Sequence, residues 1–133
     1  MKTQETNKLI ADFMGGKCEE QPHYPLKNEK NFPNVTYKEV CTLPLETLPS
    51  MYQFGIFSIH KLQYHTSWDW LMPVVEKIEG LGFEFFIVEN RFKINHNTDQ
   101  SIENVTYAEG GDKLSITYQG IVQFIEYYNN TNK

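Results

Sequence analysis

The sequence lacks any apolar run close to the roughly 18 residues of a membrane-spanning helix, and its N-terminus lacks the apolar core of a secretion signal. We therefore expect a protein of a bacterial cytoplasm with no membrane partner. Cysteine is also scarce, with only Cys18 and Cys41 present. Because a reducing compartment keeps cysteines as thiols, we expect no disulfide between them.

Basic residues are fewer than acidic residues. The chain carries 12 lysines and arginines against 17 aspartates and glutamates, which gives a net charge of −5. Non-specific binding to nucleic acid needs a cationic surface that releases counterions from phosphate, so the composition disfavours that class of function. It leaves open a local basic patch, and it suits a protein that binds a basic partner.

The sequence also lacks the two pairs of closely spaced ligands that a structural zinc site needs. Cys18 and His23 have four residues between them, as do His60 and His65. Neither pair is accompanied by a second pair that would complete a structural zinc site. The glycines in segment 80–82 precede a predicted strand rather than a helix, which is the wrong order for a dinucleotide-binding loop. We predict no metal site and no cofactor.

A nucleophilic motif is suggested only by residue type. Ser67 lies between His65 and Asp69, but catalytic triads are assembled across a fold and are not read from chain neighbours. A helix-capping role explains Ser67 and Asp69 without chemistry. We therefore predict no catalytic residue and a protein that is not an enzyme.

The composition itself is that of a globular domain. Hydrophobic residues make up 40%, charged residues 22% and aromatic residues 14% of the 133 positions. A chain of this length fits one domain spanning residues 1–133. Its core should contain many rings.

The clearest helical pattern lies at residues 67–79. The apolar residues there recur at i, i+3, i+4 and i+7, which is one face of a helix: Leu71, Val74, Val75 and Ile78. Pro73 cannot donate a backbone hydrogen bond, so the helix is either kinked there or begins there. Trp68 falls near the apolar face and is predicted to be in the core. Trp70 cannot share that face, so it is either covered by the long middle region or available for contact.

Two further helices are predicted at the ends of the chain. Residues 3–14 carry a narrow apolar stripe and are followed by Gly15, which can form a C-terminal cap. Residues 112–128 also show helical spacing, with Asp112 as the expected N-cap. A strand at 114–118 is the competing interpretation, because those residues alternate and include β-branched side chains.

Strands are expected between these helices. Residues 83–94 read as one strand with Phe86, Val88, Phe92 and Ile94 on one face, covered on both sides at its beginning, and residues 102–107 as its return partner. This predicts a hairpin within 83–107. Residues 17–63 form a variable region of loops and short strands, one of them near 34–41. The fold class is α+β: a small antiparallel sheet covered by an N-terminal, a central and a C-terminal helix.

Four residues are candidates for contact with a partner. Tyr64 and Trp70 offer aromatic surface if the variable region leaves them uncovered. Glu19 and Glu20 offer negative charge within that region. Burial of the rings in the core is the competing interpretation.

Three segments resemble a family of small phage and prophage proteins of Bacteroidetes and flavobacteria, related to the phage ABA sandwich domain: residues 7–17, 62–79 and 121–129. Family members often carry tryptophan where this chain has Tyr127. The resemblance implies a small sheet with helices on both sides and a phage origin. It implies no activity and no site residues.

Two functions follow as hypotheses. The first is a non-enzymatic phage protein that inhibits a bacterial defence system, most concretely a CRISPR effector nuclease, by binding a basic surface through residues 18–63 and acidic side chains. The alternative is a phage structural or replication accessory module that binds a phage protein or itself.

Overall fold

Three helices and two three-stranded antiparallel sheets make up the part of the chain that the computed structural model describes, which is residues 3–23, 36–88, 91–98, 101–109 and 111–131. The predicted α+β class is confirmed. The elements are α1 (Thr3–Phe13), β1 (Lys17–His23), β2 (Thr36–Thr42), β3 (Ile56–Ser58), α2 (Trp68–Gly80), β4 (Phe83–Val88), β5 (Arg91–Thr98), β6 (Ser101–Glu109) and α3 (Lys113–Thr131).

Helix α1 ends where its sequence predicts. Gly15 adopts a φ of 88°, a left-handed conformation that glycine takes at little cost. The amide of Gly16 then donates to the carbonyl of Ala11 at 2.9 Å. Ile10 and Ala11 are fully buried, so α1 packs through the apolar stripe seen in the sequence.

Helix α2 begins at Trp68 and contains Pro73 in its interior. The alternative in which the helix starts at Pro73 is therefore wrong. Ser67 occupies the N-cap position with an extended backbone, but its side chain makes no capping hydrogen bond there. Of the two expected contributions to the helix start, only the carboxylate of Asp69 in the first turn is present.

Strands β4 and β5 replace the single strand predicted for 83–94. Val88 pairs with Arg91 and Ile87 with Phe92, so β4 and β5 run antiparallel. This pairing puts Phe85 on the same face as Ile94. Consequently Phe86 lies on the opposite, outer face with 37% exposure, while Phe92 and Ile94 are fully buried. The predicted shared face is wrong.

Among the described residues, the second sheet (β4–β5–β6) carries helices on one face only. Its exposed outer face carries Glu84, Phe86, Arg91 and Lys93, so the expected cover on both sides of the early strand is also wrong. Helices α2 and α3 contact β4 and β5 respectively, from the side where Phe92 and Ile94 are buried. The described residues thus do not form the two-sided helical cover that the phage-family resemblance implies.

Helix α3 confirms the helical interpretation of the C-terminal segment and excludes the strand at 114–118. Asp112 caps it, since its Oδ1 accepts a hydrogen bond from the amide of Ser115 at 2.7 Å. The helix packs tightly against β5 at Gly120, where a Cβ would overlap the ring of Phe92. Phe124 is fully buried and makes an edge contact with Phe83 at 4.8 Å between ring centroids.

The first sheet (β1–β2–β3) lies within the region predicted as loops and short strands. Cys18 pairs directly with Cys41 in the antiparallel register, and the two form a disulfide. The expectation of free thiols is wrong, because strand pairing brings together two cysteines that are 23 positions apart. The predicted strand at 34–41 appears as β2, and its first two positions lie outside the described residues.

Candidate protein-binding surface

An aromatic cluster forms around Trp70 and fixes the variable region onto α2. Trp70 is 1% exposed, and its ring lies edge-on to Tyr52 at 5.5 Å, Phe57 at 5.2 Å and Tyr64 at 5.2 Å. Its indole N–H donates to the hydroxyl of Tyr52 at 3.3 Å. Such edge contacts contribute about 0.5–1.5 kcal/mol each beyond the buried area.

Tyr64 and Trp70 are therefore not contact residues. Both are 1% exposed, so neither ring can contact a partner in this conformation. The predicted contact role of Tyr64 and Trp70 is therefore wrong. Trp68, predicted to be in the core, is 38% exposed. The helical spacing alone favoured Trp68, but Tyr52 and Phe57 approach from the variable region and cover Trp70 instead.

The segment that precedes β3 is held close to the protein body. The amide of Leu43 donates to the carbonyl of Gly55 at 2.6 Å, and the amide of Tyr52 donates to that of Pro49 at 3.1 Å. A 3-10 turn at Leu45–Thr47 lies against α2. The segment is thus tied at both ends and, through Tyr52, in its middle.

This anchored segment presents large apolar side chains to solvent. Met51 is 73%, Phe54 76% and Ile56 64% exposed. Single exposed apolar residues are ordinary, but several within six positions of one fixed loop are typical of an interaction surface. We call residues 45–56 the presenting segment.

A groove of about 390 Å³ runs between the presenting segment and α2. On the segment side it is lined by Leu48, Pro49, Ser50 and Met51, and on the helix side by Asp69, Met72, Pro73 and Glu76. Met72 is 44% exposed, so both groove methionines are accessible. Methionine is unbranched and polarisable, which suits it to surfaces that adapt to a partner.

The helix side of the groove is acidic. Asp69, Met72, Pro73 and Glu76 are spaced i, i+3, i+4 and i+7, so they form one face of α2. Both carboxylates are exposed. Lys77, the basic residue nearest to them on α2, lies over the ring of Phe13 at 4.7 Å and donates to the carbonyl of that residue, so it is engaged by α1.

One feature of the sequence signals this groove. Met72 is an apolar residue at an exposed position of α2, outside the buried stripe, where an amphipathic helix should be polar. Asp69 and Glu76 lie about one turn to either side of it. The other wall of the groove, Met51, is distant in sequence and could not be assigned to it.

Glu19 and Glu20 lie on β1 and are both exposed. Successive residues of a strand point to opposite faces, so they do not form one acidic site. Glu19 pairs with Lys17 at 2.8 Å on the outer face of the first sheet, where a second concavity of about 420 Å³ is lined by Lys17, Glu19, Gln21 and Thr42 among others. Glu20 shares the face of Cys18.

A buried polar network joins α1, α3 and the segment before α2. The Asn7 side chain is 2% exposed; its amide donates to the carbonyl of Leu62 at 3.2 Å and to Nδ1 of His65 at 3.0 Å. The hydroxyl of Tyr118 donates to Oδ1 of Asn7 at 2.9 Å and also contacts that of Thr6. Burial raises the pKa of Tyr118. This network explains His65 structurally, without a reaction.

Metal ligands do not converge in the described part of the chain, where no three of the histidine, cysteine, aspartate and glutamate side chains lie close enough to hold an ion. Nδ1 of His60 contacts the side-chain amide of Gln4 at 3.0 Å. The side chains of His23 and His96 lie outside the described residues.

No described helix combines the length and apolar character needed to span a bilayer. Comparison of the chain with protein-family models, with curated proteins and with solved structures finds no match in any of the three. The resemblance to the phage family thus stays a prediction.

Proposed function

We propose that this chain is a non-enzymatic protein-binding module whose contact surface is formed by the presenting segment and the adjacent face of α2. The observation that carries the proposal is the exposure of Met51 and Phe54, at 73% and 76%, on a loop tied to the core through Tyr52. An anchored loop loses little conformational entropy when a partner binds, which favours affinity.

The expected partner is basic. The net charge is −5, and two carboxylates border the exposed methionines in the groove. Charge complementarity of this kind raises the association rate and suppresses binding to acidic partners. In its most concrete form, the proposal is a phage-derived inhibitor that occupies a basic, RNA-binding surface of a CRISPR effector nuclease in the cytoplasm of a bacterial host.

The disulfide places a condition on this form of the proposal. A bacterial cytoplasm keeps most cysteines reduced, whereas Cys18 is bonded to Cys41. The reduced protein must therefore still fold and bind. The aromatic cluster around Trp70 supports this requirement, because it anchors the presenting segment independently of the disulfide.

Co-migration in size-exclusion chromatography tests the proposal, with purified effector nucleases from flavobacterial CRISPR systems, with and without guide RNA, and with and without dithiothreitol. We expect a complex with the unmodified chain that is lost in a Met51→Asp/Phe54→Asp variant. Phe86→Asp is the matched control, since Phe86 is also exposed but lies on the outer face of the second sheet.

Absence of a complex with every nuclease would reject the inhibitor form. Equal loss of binding in the Phe86 variant would reject the presenting segment as the contact surface. Sedimentation of the chain alone examines the alternative, an accessory module that binds itself: a defined oligomer that the Met51/Phe54 variant dissolves would favour that function.

A further inference from the structure

We propose that the groove between residues 48–51 and α2 binds a peptide segment in which one apolar side chain is flanked on both sides by lysine or arginine. This inference rests on the proposed protein-binding function and names the chemistry that the surface recognises. The occupant is a segment of a partner protein, not a small molecule or a nucleic acid.

The shape of the groove suits one apolar anchor. Its volume of about 390 Å³ falls at the lower end of the range of binding pockets, which is roughly 300–1,000 Å³. Met51 and Met72 face it from opposite walls, with Leu48 and Pro49 completing the apolar surface. An aliphatic or aromatic side chain placed between the two thioethers would bury surface that is now in contact with water.

The position of the carboxylates sets the spacing of the basic residues. Asp69 and Glu76 lie seven residues apart on α2, which corresponds to about 10 Å along the helix axis. In an extended peptide, alternate residues point to the same face, and residues four apart are separated by about 13 Å. A sequence of the type Lys-x-apolar-x-Lys therefore directs all three side chains towards the groove, with the apolar side chain at Met72 and one flexible lysine side chain near each carboxylate.

The charge of the groove argues against a nucleic acid. Two carboxylates and no lysine or arginine are found among the described residues that line it. This charge pattern disfavours phosphate and therefore nucleic acid.

Methionine methyl NMR tests the inference with the full chain. The sequence holds four methionines, so 13C labelling of their ε-methyl groups gives a spectrum with few signals. The probe is a blocked heptapeptide Gly-Lys-Ala-Leu-Ala-Lys-Gly, titrated to millimolar concentration. We expect the Met51 and Met72 signals to shift while that of Met14, which is 5% exposed in the core, stays in place. A peptide with glutamate at both lysine positions should cause no shift.

A pair of charge reversals on α2 separates groove binding from general attraction to an acidic protein. Glu76→Lys should weaken binding of the basic peptide roughly three- to tenfold. Glu79→Lys changes the net charge equally on an exposed position of the same helix that does not line the groove, so it should leave the affinity unchanged.

The inference is overturned if neither groove methionine responds at millimolar peptide, or if both charge reversals weaken binding equally. Its failure is distinguishable from failure of the proposed function. Loss of peptide binding with retained, Phe54-dependent nuclease binding would show that a partner uses the presenting segment outside the groove. A responding groove without any nuclease complex would retain the peptide site and reject only the inhibitor form.

Discussion

Replacing Gly120 by alanine should destabilise the fold more than any other single-methyl addition to a described glycine of a helix. A Cβ at position 120 would overlap Cδ1 and Cε1 of Phe92, well inside the roughly 3.5–4.0 Å separation of carbon atoms in contact. Phe92 cannot move aside easily, because it is fully buried and lies edge-on to Phe85 at 4.7 Å between centroids. Helix α3 must therefore move away from β5.

The magnitude follows from two opposing effects. Overpacking of this kind costs about 1–3 kcal/mol and sometimes more, and the overlap with two ring atoms argues for the upper end. The gain in helix propensity from glycine to alanine is about 1 kcal/mol. We expect a net loss of about 2 kcal/mol, measured by urea denaturation as a midpoint lowered by roughly 1 M.

Two comparisons make this prediction specific. Gly80→Ala adds the same methyl group at the end of α2, where no atom lies within 4 Å, and should be neutral or slightly stabilising. In a Phe92→Leu background, Gly120→Ala should cost less than in the native chain, because the ring that it meets is gone. Equal or higher stability of Gly120→Ala in the native background would refute the packing of α3 on β5.

Three further perturbations test other parts of the fold. Asn7→Ala removes three hydrogen bonds at a buried site and should cost roughly 2–4 kcal/mol in urea denaturation; a loss below 1 kcal/mol contradicts the network. Burial raises the pKa of Tyr64, so its contribution to stability is complete below about pH 10, where the unfolded tyrosine ionises, and is lost as pH rises towards the higher folded pKa. Tyr64→Phe should therefore lose less stability than the native chain between about pH 8 and pH 11, and equal losses would refute this. Reduction of Cys18–Cys41 should lower the free energy of unfolding by about 3 kcal/mol, with Cys18→Ser/Cys41→Ser matching the reduced chain.

Periodicity was a sound guide where a single element decides its own structure. The ends of α1 and α3 follow from Gly15 and Asp112, whose conformational freedom and side-chain oxygen act within one turn of the helix. The faces of β4 and β5 could not be predicted in this way. The antiparallel pairing of β4 with β5 puts Phe86 and Phe92 on opposite faces, although the apolar residues of segment 83–94 read equally well as one continuous strand.

Contacts between residues that are distant in the sequence cannot be predicted from the periodicity of a single element. Whether Cys18 meets Cys41 depends on the register of β1 and β2, which no feature of either strand sets alone. The choice between Trp68 and Trp70 is similar. Their positions on α2 favour the wrong one, and the decision comes from rings of the variable region that cover Trp70.

The burial of Trp70 also explains how the presenting segment is positioned beside α2. Because its indole holds Tyr52 by a ring contact and a hydrogen bond, the neighbouring Met51 lies across the groove from Met72. In the proposed binding mode, Trp70 therefore acts indirectly, by fixing the loop that carries Met51. A rigid core aromatic that positions exposed methionines beside two carboxylates would give both the low entropic cost and the charge selectivity that recognition of a basic segment needs.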